Sequence, residues 1–164
     1  MAREPNLATS PPPLDVLSSA LLPSTGGTYG IVLSLAAPTS CTIGALGLRH
    51  FPAGSYLYVG SAWGPGGLRA RVSRHLRGTT VRRWHIDHLR AVADPIGVWV
   101  APDEHLECAW AQALSNSTSA TIVVPRFGTS DCRCPSHLFF VEHATDGRLT
   151  LPGVPRYYAL TAAD

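Results

Sequence analysis

The sequence predicts an α+β domain: a small, mainly antiparallel central sheet flanked by helices. Three observations carry that prediction. Short β-branched and aromatic runs at 28–35, 55–61 and 96–100 are bounded by glycine and proline clusters. Apolar residues recur at helical spacing over 68–76 and 105–114. The chain has 164 residues, 45% of them apolar and 15% charged, which suits one packed domain and neither a disordered nor a fibrous chain.

Residues 1–25, with Pro11-Pro12-Pro13 and scattered Ser and Thr, read as a flexible tail with one helical turn at 14–22. The domain proper spans 26–144, and 145–164 is read as a C-terminal hairpin and tail packing on it. The run at 28–35 is the first strand. An extended piece at 42–48 is an extra strand, inserted before Pro52-Ala53-Gly54 and the strand at 55–61. Gly64-Pro65-Gly66-Gly67 opens a helix to about residue 76, in which Leu68, Val72 and Leu76 form a core-facing stripe. Glycines at that point are expected to leave the first helical amides open to an anion. A short helix at 84–91 and a buried strand at 96–100 follow. Next comes a helix at 105–114 with Asp103 as its N-cap. Finally, 137–142 and 148–151 flank Asp146-Gly147, a hairpin turn signal.

No apolar run approaches the roughly 18 residues a membrane span requires. The N-terminus lacks a secretory signal, and four cysteines do not make a disulfide framework, so the expected compartment is the cytoplasm. The formal net charge is only +2, but its distribution is uneven. All 13 basic residues are arginine, and Arg69, Arg71, Arg74, Arg77, Arg82, Arg83 and Arg90 give the window 69–90 a net +6. Guanidinium groups grip phosphate bidentately, so a nucleic-acid backbone is the natural partner; a solvated helix face is the plainer alternative.

Particular residues then stand out. Arg71, Arg74 and His75 lie at i, i+3 and i+4 beside the apolar stripe and share one arc of the helix. Tyr56 and Tyr58 face the same side of their strand, and Tyr29 opens the first one; each taken singly reads as packing. Glu107 shares a helix face with Trp110, Ala111 and Leu114, where a carboxylate is costly without a partner. It reads either as a helix-dipole group or as a ligand for a hard cation such as Mg²⁺.

Taken together, Gly27-Thr28-Tyr29, Tyr58-Val59-Gly60-Ser61-Ala62, Arg71, Arg74-His75 and Glu107-Cys108-Ala109-Trp110 resemble the GIY-YIG nuclease superfamily. Gly64 to Leu68, Trp84 to Asp87 and Ser130 to Cys134 resemble in particular a subfamily sometimes fused to endonuclease III. The resemblance runs from about residue 26 to 142. It implies a metal-dependent endonuclease that hydrolyses DNA phosphodiester bonds, in repair or other processing, with one Mg²⁺ or Mn²⁺. On this resemblance Glu107 holds the metal, and Tyr29 or Tyr58 orients or activates water. Arg71 stabilises phosphoryl charge, while His75 assists the water or the leaving group. Arg69, Arg74, Arg77, Arg82 and Arg83 are the expected DNA-binding residues, and His85 and Asp131 are additional candidates. The sequence departs from the family at Thr28, where isoleucine is usual, and in the longer stretches between Tyr29, Tyr58 and Arg71.

Two other classes stand beside this reading. One is a non-catalytic nucleic-acid-binding module on the same scaffold, with RNA as an alternative partner to DNA. The other is a zinc-stabilised interaction domain, suggested by Cys132, Cys134 and His137 with Cys108 as a fourth ligand. Because C-x-C-x-x-H is not a standard zinc spacing, small buried thiols in a packed loop are the preferred interpretation. Oligomeric state is not specified by the sequence.

Overall fold

A computed structural model describes residues 21–142, 144–145 and 149–160. Its strands are β1 (Gly27–Leu35), β2 (Thr39–Thr42), β3 (Leu48–Phe51), β4 (Gly54–Ala62), β5 (Asp94–Pro102), β6 (Ala120–Thr121), β7 (Leu138–Val141) and β8 (Arg156–Ala159). Its helices are α1 (Gly67–Arg77), α2 (His85–Arg90) and α3 (Glu107–Ser115). Six strands form one sheet in the order β6-β7-β4-β1-β5-β8, every neighbouring pair antiparallel. At its centre β1 and β4 pair along their full length, from Gly27 opposite Ala62 to Leu35 opposite Gly54.

Strand alternation sends side chains to two separate cores. Tyr29, Ile31, Leu33, Tyr58, Val98 and Val100 pack under α1 and α2, where Leu68, Val72 and Leu76 are buried as their spacing predicts. Val32, Leu57, Val59, Trp99 and Phe139 face the other way and pack under Trp110, Ala111 and Leu114 of α3. Truncating a buried side chain such as Trp110 to alanine costs about 3–5 kcal/mol. The second core is roofed by the end of the chain. Trp99 Nε1 donates to the Ala144 carbonyl, Trp110 Nε1 donates to that of Pro152, and Leu149 and Leu151 are buried beside them.

Several expectations need correction. The insertion is not one strand at 42–48 but a two-stranded hairpin, β2–β3, outside the main sheet. Gly44 and Gly47, both at positive φ, break the expected strand into a short 3₁₀ turn. Helix α3 begins at Glu107, not residue 105, and Asp103 does not cap it. Asp103 has φ 61 in the preceding turn, and Leu106 occupies the N-cap position. Instead Thr28 ties that turn to β1: its hydroxyl donates to the Glu104 carbonyl and accepts the Leu106 N–H. The threonine that departs from the resembled motif thus aims α3.

Nor is the start of α1 open to an anion. The N–H groups of Leu68 and Arg69 donate to the carbonyls of Thr25 and Pro23. Gly67 is required for that closeness, because it has φ 56 and a Cβ there would lie 2.2 Å from the Thr25 carbonyl oxygen. Residues 22–25 therefore belong to the packed unit, with Leu22 fully buried, rather than to a tail. The rest of the expected tail, up to residue 20, lies outside the described residues, as does the Asp146-Gly147 turn. Residues 149–151 are not a strand, β7 pairs with β4 and β6, and the later strand is β8 at the sheet edge. Among the described residues no helix is long and apolar enough to cross a membrane.

Candidate active site

A cleft of about 350 Å³ opens where the start of β1, the end of β4 and the start of β7 meet. Arg71 from α1 and Trp84-His85 from the start of α2 form one side; Glu107 and the loop 128–137 form the other.

The aromatic side is sealed by close packing. Tyr29 lies opposite Gly60, and a Cβ at 60 would come within 2.5 Å of the Tyr29 ring. Only glycine lets the ring cross β4 there. The Tyr29 hydroxyl is 2.8 Å from His75 Nε2, and the Tyr29 and Tyr58 ring centroids are 6.5 Å apart. Burial pushes the pKa of both phenols up; Arg71 beside them pulls the other way without overcoming it. His75 does not line the cleft but sits buried behind Tyr29, so the expected direct role on water or leaving group lacks access. Burial, only partly opposed by Asp87, lowers its pKa to about 3, and Nδ1 has no hydrogen-bond partner. The imidazole is thus neutral.

The arginines of this segment fall into three groups. Arg71 reaches the cleft, donates from Nη1 to the Ser61 carbonyl at 3.4 Å and lies 4.8 Å over the Trp84 ring. Arg83 and the ring of His85 also line it, together with exposed Asp131. His85 Nδ1 accepts the Gly128 N–H at 2.8 Å, which leaves Nε2 to carry the proton of the neutral ring. Arg69, Arg77 and Arg82 are exposed, and Arg69 also donates to the Leu22 carbonyl. Arg74, expected to grip phosphate, instead makes two 3.0 Å bonds to Asp87. Asp87 also accepts the N–H groups of Arg83 and Trp84 and so starts α2. Burial pushes the Asp87 pKa up, but Arg74 and those amides outweigh it and hold it below the usual range. Arg90 is committed as well, bonding the carbonyls of His75, Leu76 and Ala93.

The acidic side comes from the opposite layer. Because Thr28 fixes where α3 begins, Glu107 projects at the sheet's end. Its Oε2 accepts the Ser61 hydroxyl at 2.7 Å. Its Oε1 lies 3.1 Å from His137 Nδ1, close but without the alignment of a good N–H···O bond. Burial raises the Glu107 pKa; His137, Ser61 and Arg71 more than offset this and hold the carboxyl ionised below its ordinary range. On its far side His137 Nε2 is 3.5 Å from Cys132 Sγ. The thiols of Cys108, Cys132 and Cys134 and a ring nitrogen of His137 all lie within 4.8 Å of one another, close enough to bind a metal ion. None of these cysteines is fully buried as expected, although Cys134 does pack, half-buried, against the second core.

Of the five residues expected to form one centre, Tyr29, Tyr58, Arg71 and Glu107 line the cleft and His75 stands behind it. Ser61, Trp84 and the Glu107–His137 contact were not foreseen. Ser61 enters the sequence reading only as part of the tyrosine motif, and its place two residues after Val59, on the α3 face of β4, is the signal that points to Glu107. A family model described as a domain of unknown function, DUF123, matches residues 28–152. No curated protein and no solved structure matches the chain.

Proposed function

The chain belongs to the DUF123 family, and from that premise and the cleft's chemistry we propose that it is a metal-dependent endonuclease of GIY-YIG type, hydrolysing DNA phosphodiester bonds in the cytoplasm. One observation carries this reading. Two phenols, the Arg71 guanidinium and an ionised Glu107 converge on a single cleft beside the basic segment.

Glu107 fits a hard divalent cation, Mg²⁺ or Mn²⁺. Its side chain is 31% exposed on the cleft. The cleft's volume, about 350 Å³, leaves room for roughly ten waters, and such cations keep most of their hydration. When bound, the ion supplies Lewis acidity and eases deprotonation of water. Arg71, held by the Ser61 carbonyl and the Trp84 ring, presents its charge to the phosphoryl oxygens, where negative charge builds. Burial favours the protonated form of Tyr29 and Tyr58, which suits them to act as oriented hydrogen-bond donors. His75 is a positioning residue: its Nε2 fixes the Tyr29 hydroxyl. Arg69, Arg77, Arg82 and Arg83 hold the flanking backbone. The four free cysteines accord with a reducing compartment.

Cleavage of supercoiled, branched and single-stranded DNA, with Mg²⁺ or Mn²⁺ present, tests the proposal. Wild type cuts at least one substrate, and Glu107→Gln loses cutting while retaining salt-sensitive binding. Absence of cleavage on all three, or full activity of Glu107→Gln, leaves a DNA-binding module and overturns the enzyme.

A further inference from the structure

The geometry points to a second metal centre, a closed zinc site of Cys108, Cys132, Cys134 and His137 at the rim of the cleft, distinct from the cation proposed at Glu107. It does not depend on the nuclease reading. Zinc bonds of about 2.3 Å to sulfur and about 2.0 Å to nitrogen give a tetrahedron with S···N edges near 3.5 Å and S···S edges near 3.8 Å. Cys132 Sγ and His137 Nε2 already stand 3.5 Å apart, and all four donor atoms lie within 4.8 Å of each other. A small inward movement of the thiols completes the shell.

The donor set decides the ion. Three thiolates and an imidazole suit zinc, whereas Mg²⁺ and Mn²⁺ prefer oxygen. Four protein ligands fill a tetrahedron, so the site is structural and has no open position for substrate. Binding Zn²⁺ releases three thiol protons to solvent and leaves one net negative charge, close to the Arg126 guanidinium.

The loop is shaped before any ion arrives. Arg126 donates to the carbonyls of Thr129, Cys132 and Cys134, and its N–H bonds the Pro135 carbonyl. The His137 N–H bonds the Phe127 carbonyl. These bonds hold both loop thiols and the imidazole towards α3, whose second residue is Cys108. His137 is placed as metal-binding histidines commonly are, with one ring nitrogen towards the ligand set and the other towards a carboxylate, here Glu107. The ion therefore ties the first turn of α3 to the loop end just before β7 and steadies the acidic side of the cleft.

The full chain, purified under reducing conditions without added metal, tests this. Elemental analysis is expected to find about one zinc per chain, as a closed four-ligand site holds one ion. Exchange with Co²⁺ should produce the near-ultraviolet thiolate charge-transfer and strong visible bands of a tetrahedral thiolate site. In thiol titration Cys41 reacts first, and Cys108, Cys132 and Cys134 become reactive only after chelation. The Cys132→Ser/Cys134→Ser double variant should lose the zinc. Wild-type protein without zinc that shows no charge-transfer band on adding Co²⁺ overturns the site. So does a thiol reactivity unchanged by zinc or chelator, a readout that does not require the variant to fold.

Discussion

The two sides of the cleft are built differently. The aromatic side stands on long regular elements, β1, β4 and α1, and its groups are locked by burial: Tyr29 over Gly60, His75 behind it. The acidic side is assembled from a helix start, a strand end and a loop, and its groups are held by partners: Ser61 and His137 on Glu107, Arg126 on the loop carbonyls. Packing fixes protonation on the first side by excluding water, so the phenols and His75 stay neutral. Hydrogen bonds and charge fix it on the second, so the carboxylate stays ionised. Neutral phenols and the Arg71 guanidinium thus face an anion across one cavity, a polarity that suits the phosphodiester and cation proposed for it.

The most demanding trial of this pairing takes one residue from each side. Arg71→Ala and Glu107→Gln are each expected to lower the cleavage rate about 100-fold or more. Because groups that act as a unit are not additive, the double variant should lose little beyond either single change. Fully multiplicative losses would show two independent regions.

Acid separates the sides by pH window. The folded His75 has its pKa at about 3, below the unfolded value of 6.5. The unfolded chain therefore takes up a proton first, and stability falls as pH drops from about 6.5 towards 3. Glu107, depressed in the fold, contributes stability present above the ordinary carboxylate pKa and lost only as pH falls below it. Urea midpoints measured against pH should decline in the upper window for wild type and flatten there for His75→Gln. A wild-type profile already flat in that window would remove the buried neutral imidazole from the account.

A smaller effect belongs to Tyr29→Phe. Loss of the phenol leaves His75 with no partner at either nitrogen, at a cost of about 1–3 kcal/mol in chemical denaturation. Smallest is the change at exposed Arg77: Arg77→Gln should reduce the salt slope of DNA binding by about 1, equally for all sequences. Arg74→Gln should instead lower stability, because it strips buried Asp87 of its partner.

That last contrast shows what was legible. Helical spacing placed Leu68, Val72 and Leu76 in the core, and strand alternation put Tyr56 and Tyr58 on one face. Periodicity cannot say which of two neighbouring guanidiniums meets a buried acid, so Arg74 and Arg77 looked equivalent. The opening of α1 looked vacant because the carbonyls that close it come from residues 23–25, a stretch whose composition suggests a tail. The thiol cluster was hardest to weigh. Cys132, Cys134 and His137 match no common spacing, Cys108 comes from a different element, and the loop bonded to Arg126 brings the set together.

Trp110 hangs its indole from the Pro152 carbonyl, so the late part of the chain bears directly on α3. The helix bearing the acid shares its layer with Leu149 and Leu151, and β8 covers one edge of β5. A chain ending before Leu149 would lose that roof while keeping β1, β4 and α1 packed together, so truncation should loosen the acidic side of the cleft before the aromatic one.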